Sequence, residues 1–463
     1  MLEDLADAED GATPIVPLRK AGLDEWLAGQ RPGVAAWVKA TNFTAETGAV
    51  CLVPDTLGQV ETVLAGIDDD DPWSFAGLPA KLPPGTYRLA APLAARQAEW
   101  AALGWLLATY AYDRYKSKNG RTWPVLAWPE GVDRDRVRHT VAAIRLARDL
   151  VNTPAADLGP AELAEAAEKV AATHGAAIRT IVGEGLLAEN YPAIHAVGRA
   201  AGPRRQPRLV DMAWGDAKAP KVTLVGKGVC FDTGGLDLKP SGNMKLMKKD
   251  MGGAASVLAL ASMIMAAGLP VRLRVLIPAV ENSVSGDAMR PLDVLPTRKG
   301  LTVEVGNTDA EGRLILCDAL AEAAREKPEL LIDIATLTGA ARTALGPDLP
   351  ALFSNDDRLA ADILAAGEAE GEPMWRLPLH KGYRRMIDSK VADLANVSDS
   401  PHAGAITAAL FLQEFVGPNI PWAHLDVLAW NVGTRPGRPE GGEAMGLRAL
   451  FAVVAGRFGP RAQ

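Results

Sequence analysis

Lysine and aspartate side chains that could bind a metal ion follow a short apolar run at 222–225. Lys227 and Asp232 lie five residues apart in the glycine-rich stretch 226–235. Glycines at such a position also suggest a phosphate-binding loop, but the stretch contains no GxxxxGK(S/T) pattern, and Phe231 interrupts GxGxxG. We therefore interpret the stretch as a turn that carries one amine and one carboxylate.

Two further residues of the same chemical types follow along the chain. Lys239 comes directly before Pro240, and Asp250 stands where the next helical pattern begins. An isolated aspartate at a helix start usually caps the helix by accepting a hydrogen bond from its first turn. Asp250 therefore has two interpretations, as a helix cap or as a member of a metal site.

A second group of charged residues, at 306–313, follows an apolar run at 301–305. Side chains alternate in an extended backbone, so Asp309, Glu311 and Arg313 are predicted to point to one side. Two carboxylates held together repel each other, and cations are needed to keep both ionised. Arg313 supplies one positive charge, and a pair of divalent metal ions would supply the rest. The alternative is a solvated acidic turn with a salt bridge to the arginine.

Both groups follow predicted strands. In α/β proteins, ligand-binding residues lie at the carboxyl ends of the strands, on one edge of the sheet, so the two groups are expected to meet. Together the groups supply Asp232, Asp250, Asp309, Glu311, Lys227 and Lys239. Carboxylates suit Mn²⁺ and Mg²⁺, and Zn²⁺ accepts them too. Two such ions about 3.5–4 Å apart activate a shared water for hydrolysis. A lysine beside two dications would have a lowered pKa and could bind as a neutral amine.

The elements that must position these residues alternate between strand-like and helical patterns beyond residue 170. Strands are predicted at 222–225, 271–277, 301–305, 330–335 and 422–428, and helices at 253–267, 313–324, 359–370 and 405–415. Continuous apolar strands that alternate with helices favour an α/β fold with a mixed, mostly parallel sheet covered by helices.

The chain is predicted to have two unequal domains. Seven of the eleven tryptophans lie in the first 128 residues, and we expect a smaller N-terminal α/β domain at 1–131. Apolar residues spaced by three and four at 132–152 predict a connecting helix that ends before Pro154. The larger, catalytic domain is then expected at 153–463.

Composition and charge exclude several classes of protein. The 463 residues are 48% hydrophobic and 23% charged, which is typical of a globular protein and not of a disordered chain. A net charge of −7 gives no general attraction to nucleic acid or to anionic lipid. Charges abut both ends of the apolar segment 251–271, so we interpret it as a buried helix and not as a membrane span. The first ten residues are acidic and do not resemble a secretory signal, so a cytoplasmic location is expected.

Three strings of residues resemble the leucyl aminopeptidase (cytosol aminopeptidase) family of two-metal exopeptidases. They are VGKGVCFDTGGLDLKP at 225–240, MKKDMGGAA at 247–255 and NTDAEGRL at 307–314. The last string is the most specific signature of the family. The resemblance extends over residues 148–430, and it implies a macro-like α/β fold for the smaller N-terminal domain.

The resemblance implies a role for each residue of the two groups. The metal ligands would be Lys227, Asp232, Asp250, Asp309 and Glu311. Lys239 and Arg313 would be the catalytic residues. In the family, a hydroxide that bridges two Mn²⁺ or Zn²⁺ ions attacks the scissile carbonyl, the lysine stabilises the oxyanion, and a bicarbonate held by the arginine shuttles the proton. The free α-amine of the peptide binds one ion, which explains why such enzymes are exopeptidases.

The resemblance also implies a homohexamer and a preference for leucine or another apolar residue at the substrate N-terminus. The chain departs from the family pattern at Thr233, where serine is frequent, and at Lys245, where aspartate is frequent. A third departure is the stretch GEAMGLR at 442–448, where the family has a stretch like GATGFGVR. Together with Met244, Thr336 and Gly339, that stretch would shape the pocket for the first side chain, so a strict leucine preference is open.

Two other functions remain open from the sequence. One is a dinuclear dipeptidase of narrow specificity, and the other is a peptidase with an added DNA-binding role. The acidic composition weighs against nucleic acid as a partner, and no membrane partner is expected. The presence of all seven implied site residues favours a peptidase that acts on peptides with a free N-terminus.

Overall fold

A computed structural model describes residues 4–7, 11–116 and 122–459. Its contacts divide the chain into two compact units. The first contains the residues up to 145 together with 433–440, and the second contains 146–432 together with the residues from 441 onward. Within the described ranges, every helix is too short or too polar to span a bilayer.

The first unit is built on a sheet whose strands are parallel except at one edge. Its strands are β1 (Leu5–Ala6), β2 (Thr13–Leu18), β3 (Val50–Pro54), β4 (Val60–Gly66), β5 (Thr86–Leu89) and β6 (Val125–Ala127). They lie in the order β1-β6-β5-β2-β4-β3, and only the pairing of β3 with β4 is antiparallel. The helices are α1 (Leu23–Ala28), α2 (Pro32–Ala40) and α3 (Ala95–Ala108). An α/β architecture is therefore confirmed for this part of the chain.

A long helix, α4 (Arg134–Asn152), follows the first sheet. It agrees with the helix predicted at 132–152 to within two residues. The fold class, a two-domain α/β protein, is confirmed. The domain boundaries after residues 131 and 152 stay predictions.

The second unit is built on a larger mixed sheet. Its strands are β7 (Ala177–Val182), β8 (Arg208–Trp214), β9 (Lys221–Gly226), β10 (Gly228–Asp232), β11 (Arg272–Asn282), β14 (Leu330–Ala335), β15 (Ala351–Ser354), β16 (Trp375–Arg376) and β18 (Trp422–Asp426). The order is β16-β15-β18-β14-β9-β11-β8-β7, and β10 also pairs with β11. The pairs at the centre of the sheet are parallel, so β9, β14 and β18 all end at the same edge. This arrangement confirms the mixed, mostly parallel sheet expected from the apolar runs.

Most helices of the second unit pack on this sheet or on one another. They are α5 (Pro160–His174), α6 (Gly185–Ala188), α7 (Pro192–Gly198), α8 (Ser241–Met244), α9 (Gly252–Ala266), α10 (Glu311–Arg325), α11 (Gly339–Leu345), α12 (Asp357–Glu370), α13 (Gly404–Val416) and α14 (Leu447–Phe458). Helix α9 is buried almost throughout, which confirms the interpretation of 251–271 as a core helix. It begins very close to the sheet, since a Cβ atom added at Gly253 would lie 2.0 Å from the carbonyl oxygen of Ile334.

One predicted strand belongs to a different sheet. The run predicted at 301–305 forms β13 (Thr302–Glu304), which pairs with β12 (Val294–Pro296) and β17 (Leu394–Ala395) in a small separate sheet. The expectation that both groups of charged residues follow strands of one sheet is therefore wrong for the second group. Strands β19 (Trp430–Asn431) and β20 (Gly441–Gly442) form a further two-stranded ladder.

Candidate metal centre

Lys227 directly precedes strand β10 and Asp232 is the last residue of that strand, so neither lies on a turn. Strand β9 ends at Gly226, and the backbone N–H of Lys227 donates to the carbonyl of Ile334, 3.0 Å away. The chain then continues as β10, whose last residue is Asp232. The predicted turn comes only after Asp232, where Gly234 and Gly235 have positive φ angles of 88° and 65°. The turn prediction for 226–232 is wrong because 228–232 form a strand that pairs with β11, and Gly226 pairs with β14.

Asp250 is held by a threonine from the neighbouring strand end. It lies in a short 3₁₀ turn, Met247–Met251, and its Oδ1 accepts a hydrogen bond of 2.7 Å from the hydroxyl of Thr336. Thr336 follows the last residue of β14 directly. Helix α9 begins at Gly252 with no side-chain cap. The interpretation of Asp250 as a helix cap is therefore wrong.

Asp309 and Glu311 lie on a turn that becomes a helix. The amide of Asp309 donates to the Asn307 side chain at 2.7 Å, and the amide of Ala310 donates to the Asn307 carbonyl at 3.2 Å. Helix α10 then begins at Glu311. The predicted extended backbone is wrong because these local hydrogen bonds favour a turn. The two carboxylates nevertheless come close together.

The structure brings six of the seven predicted site residues into one cluster. Nζ of Lys227 lies 2.8 Å from Asp250 Oδ2 and 3.0 Å from Glu311 Oε1. Nζ of Lys239 lies 2.8 Å from Asp232 Oδ2 and also contacts Asp309. Carboxylate oxygens of Asp232, Asp309 and Glu311 lie within 4.8 Å of one another. Residues far apart in the sequence thus converge where β10 and β14 end.

Arg313 is the exception. Its Nη1 donates a 2.6 Å hydrogen bond to the backbone carbonyl of Asn396. The salt bridge of the alternative interpretation, a solvated acidic turn paired with the arginine, is absent among the residues that the structure describes. The guanidinium is buried, and its Nε has no hydrogen-bond partner within that part of the chain. Burial lowers the pKa of Arg313 to about 10.

Burial and mutual repulsion perturb the carboxylates. Among the protein groups alone, burial and then the charge of Asp232 raise the pKa of Glu311 to about 8 and that of Asp309 to about 6. Burial by itself would lower the pKa of Lys227, but facing carboxylates outweigh it and raise this pKa above its usual value. The pKa of Lys239 is raised in the same way. The lowered lysine pKa expected from the sequence concerns a metal-loaded site and stays a prediction.

The cluster fits bound cations. Asp250 Oδ2 and both carboxylate oxygens of Glu311 are buried, and apart from the ion-pair contacts of the Lys227 ammonium they have no hydrogen-bond partner among the described residues. Four carboxylates face two ammonium groups, so negative charge remains uncompensated when all of them are ionised. Buried charges are normally paired or bound to metal. Carboxylate oxygens without hydrogen bonds are the donor atoms that Mn²⁺, Mg²⁺ and Zn²⁺ accept.

Two residues that support the cluster were not found from the sequence. Asn282, the last residue of β11, donates from Nδ2 to Asp232 Oδ1 at 2.8 Å and to the Thr308 carbonyl at 3.1 Å. Asn396 accepts from the amide of Gly306 at 2.8 Å and donates to the Asn307 carbonyl at 2.8 Å. The position of Asn282 at a strand end was a usable signal. Asn396 follows a strand of only two residues, which gave no signal.

A cavity of about 460 Å³ opens beside the carboxylates. Its lining includes Lys227, Asp232, Asp250 and Asp309 of the cluster. Thr336 and Gly339, which the family resemblance implies for a side-chain pocket, also line it. Met244 and the stretch 442–448 are not among the described residues that line this cavity, and Met247 lines it instead.

Comparison with known protein families agrees with this arrangement. A model described as the catalytic domain of the cytosol aminopeptidase family matches residues 145–451. The chain belongs to the cytosol aminopeptidase family. A second model, described as the N-terminal domain of M17 aminopeptidases, matches residues 13–129. The resemblance noted from the three strings is thus confirmed, and the chain is a member of a family of metal-dependent aminopeptidases.

Individual relatives of this aminopeptidase family match over almost the whole chain. A probable cytosol aminopeptidase from Brucella melitensis is 39% identical and covers 96% of each sequence. The crystal structure of a cytosol aminopeptidase from Coxiella burnetii is 49% identical, with a TM-score of 0.93 over 98% of this chain and 99% of that one. The bottromycin maturation enzyme BotP in complex with Mn is 36% identical, with a TM-score of 0.86 over 98% and 99% of the two chains.

Proposed function

We propose that this protein is a two-metal aminopeptidase that releases the N-terminal residue of peptides. The observation that carries the proposal is the convergence of Lys227, Asp232, Asp250, Asp309 and Glu311, which we propose as the metal ligands. Asp250 Oδ2 and both Glu311 oxygens are buried with no hydrogen-bond partner among the described residues beyond the ion-pair contacts of Lys227, and the four carboxylates exceed the two facing ammonium groups in charge. The Mn-bound relative BotP supports the same conclusion.

Two ions held there would polarise the scissile carbonyl and activate water at neutral pH. Lys239 supplies a positive charge at the wall of the cavity, 2.8 Å from Asp232. A fixed cation at this position stabilises the negative charge that develops on the carbonyl oxygen during hydrolysis. The free α-amine of the substrate is bound at the same cluster, which limits cleavage to the first residue. We therefore assign Lys239 a catalytic role.

We also propose Arg313 as a catalytic residue that binds an anion, with bicarbonate as the candidate. Its buried guanidinium uses Nη1 for the Asn396 carbonyl, while Nε has no partner among the described residues. A buried cation with a free donor favours an anionic ligand. Such an anion would be placed to take up and return the proton that hydrolysis moves.

The remaining features of the proposal concern substrate and assembly. Apolar side chains of Leu246, Met247, Val427 and Leu428 line the cavity, which supports leucine or another apolar residue at the substrate N-terminus. Mn²⁺ or Zn²⁺ is proposed as the native ion. A homohexamer and a cytoplasmic location stay predictions.

The test is hydrolysis of L-leucine p-nitroanilide by purified protein. We expect activity that Mn²⁺ stimulates and that dialysis against a chelator removes. Asp309→Asn and Glu311→Gln should each lower kcat at least a hundredfold, whereas the exposed control Glu329→Gln should keep the parent rate. Full activity in metal-free protein, or near-parent rates in both site variants, would refute the proposal.

A second substrate series separates an aminopeptidase from the dipeptidase alternative. We expect cleavage of peptides longer than two residues and none of their N-acetylated forms, because acetylation removes the basic amine. Hydrolysis restricted to dipeptides, or efficient release of an acetyl-amino acid, would favour the alternative.

A further inference from the structure

Two cations that the proposed mechanism does not use line the same cavity. They are Lys249 and Arg342. Lys249 is only 8% exposed. No hydrogen bond or ion pair of its ammonium group occurs among the described residues. A buried ammonium without a bound anion is unfavourable in a folded protein.

Arg342 is only partly neutralised by its protein partner. Its Nη2 donates to the backbone carbonyl of Asp426 at 2.6 Å and lies 3.2 Å from the Asp426 carboxylate. That carboxylate also accepts hydrogen bonds from the amides of Leu337 and Thr338 and from the Thr338 hydroxyl. Its negative charge is therefore shared among several donors. Nε of Arg342 remains buried without a partner in the described part of the chain.

The wall of the cavity around these cations is formed partly by apolar residues and partly by polar residues, including carboxylates of the candidate metal centre. Met247 and Val427 belong to it, and the cavity volume of about 460 Å³ is large enough for an amino-acid side chain. Electrostatic attraction is stronger in such a partly desolvated space than in water. An anionic group on a bound substrate would thus meet two cations that have unused bonding capacity.

We propose that Lys249 and Arg342 recognise a carboxylate of the substrate, so that acidic residues are accepted beside apolar ones. The proposal rests on the proposed aminopeptidase function. We expect this carboxylate to come from the side chain of an N-terminal glutamate or aspartate. The reason is that the same cavity is lined by the cluster that would hold the α-amine and the scissile carbonyl. The C-terminal carboxylate of a dipeptide is the other group that could bind to the two cations.

The experiment compares substrates that differ only in one negative charge. A charge-assisted hydrogen bond corresponds to about 10- to 100-fold in kcat/KM. We expect kcat/KM for L-glutamate p-nitroanilide to exceed that for L-glutamine p-nitroanilide by this factor. A dipeptide such as Leu-Ala, compared with Leu-Ala-amide, reports on the C-terminal source. Ratios near one in both comparisons would overturn the proposal while leaving leucine p-nitroanilide hydrolysis, and hence the proposed function, intact.

Substitutions test whether a preference for glutamate over glutamine depends on Lys249. Lys249→Met should reduce the glutamate-to-glutamine ratio about tenfold, and Lys249→Arg should retain most of it. Lys248→Met is the matched control, because the Lys248 ammonium donates to the Asn152 carbonyl at 2.6 Å and does not line the cavity. An unchanged ratio in Lys249→Met would contradict the assignment.

Binding of reaction products gives a readout besides turnover. Calorimetry with free L-glutamate and L-glutamine should show tighter binding of glutamate to the parent protein, and a smaller difference in Lys249→Met. Equal affinities for the two amino acids would count against the proposal. Absence of hydrolysis with every anilide would overturn the proposed function and this inference together.

Discussion

The substitution Glu311→Gln should stabilise the metal-free protein while it abolishes activity. Glu311 is 1% exposed, and neither of its carboxylate oxygens accepts a hydrogen bond from the described residues. Burial and the charge of Asp232 raise its pKa to about 8, from an ordinary value of 4.5. Glutamine has the shape of the protonated side chain, so it avoids the unfavourable burial of the charge.

The size of the effect follows from the linkage between proton binding and folding. Because the folded state binds this proton more tightly than the unfolded state, its stabilising contribution is complete below pH 4.5 and is lost as the pH rises through about 8. Each pKa unit corresponds to about 1.4 kcal/mol. The variant should therefore exceed the parent protein in free energy of unfolding by about 3 kcal/mol at pH 7 and by nearly 5 kcal/mol above pH 8. Below pH 4.5 the two proteins should be equally stable.

The assay is thermal unfolding in the presence of a chelator at pH 5, 7 and 9, with and without added Mn²⁺. A ligand that binds only the folded state raises its stability, so Mn²⁺ should raise the midpoint of the parent protein much more than that of Glu311→Gln. Glu329→Gln, an exposed control, should follow the parent protein throughout. The reasoning is wrong if the metal-free variant is no more stable than the parent protein at pH 9, or if the difference does not grow from pH 5 to pH 9.

Two further predictions concern a glycine beside Lys227 and a histidine–aspartate pair in the core. In Gly312→Ala the new Cβ would lie 2.6 Å from Cε and 2.7 Å from Nζ of Lys227, so the lysine must move, and calorimetry should show at least tenfold weaker Mn²⁺ binding. Gly456→Ala, with nothing within 4 Å, should bind Mn²⁺ normally, and equal affinities in both variants would contradict the argument. Asp333→Asn leaves His424, 2.6 Å away in the core, without its carboxylate. Urea unfolding should show a loss of about 3 kcal/mol, and unchanged stability would refute this.

Long apolar strands and helices could be predicted from the sequence because their burial leaves a continuous pattern. The strand at 330–335 was predicted with its observed ends, and the helix at 405–415 differs by one residue at each end. The short strand at 302–304 was also found, but its sheet was not. Three residues carry too little pattern to indicate which partner strands they will pair with.

The proximity of the candidate residues was easier to predict than their local backbone geometry. The residue types and the predicted strand ends correctly indicated that Lys227, Asp232 and Asp250 lie close together. Alternation in an extended chain gave the wrong backbone for Asp309 and Glu311, because it ignored the side chain of Asn307. The hydrogen bond of Arg313 could not be predicted for a different reason, since its acceptor, the Asn396 carbonyl, lies 83 residues further along the chain. Such long-range contacts have no local signature.

The hydrogen bonds around the cluster position its oxygen atoms without removing their charge. Asn282 and Thr336 each donate one hydrogen bond to a carboxylate, at 2.8 and 2.7 Å, and both donors are neutral. They fix Asp232 at the end of β10 and Asp250 in the 3₁₀ turn before α9. A protein under selection for stability alone would replace such buried acids with neutral residues of similar size. Their retention beside a cavity is therefore best explained by a cationic ligand, whose binding offsets the repulsion that the fold maintains.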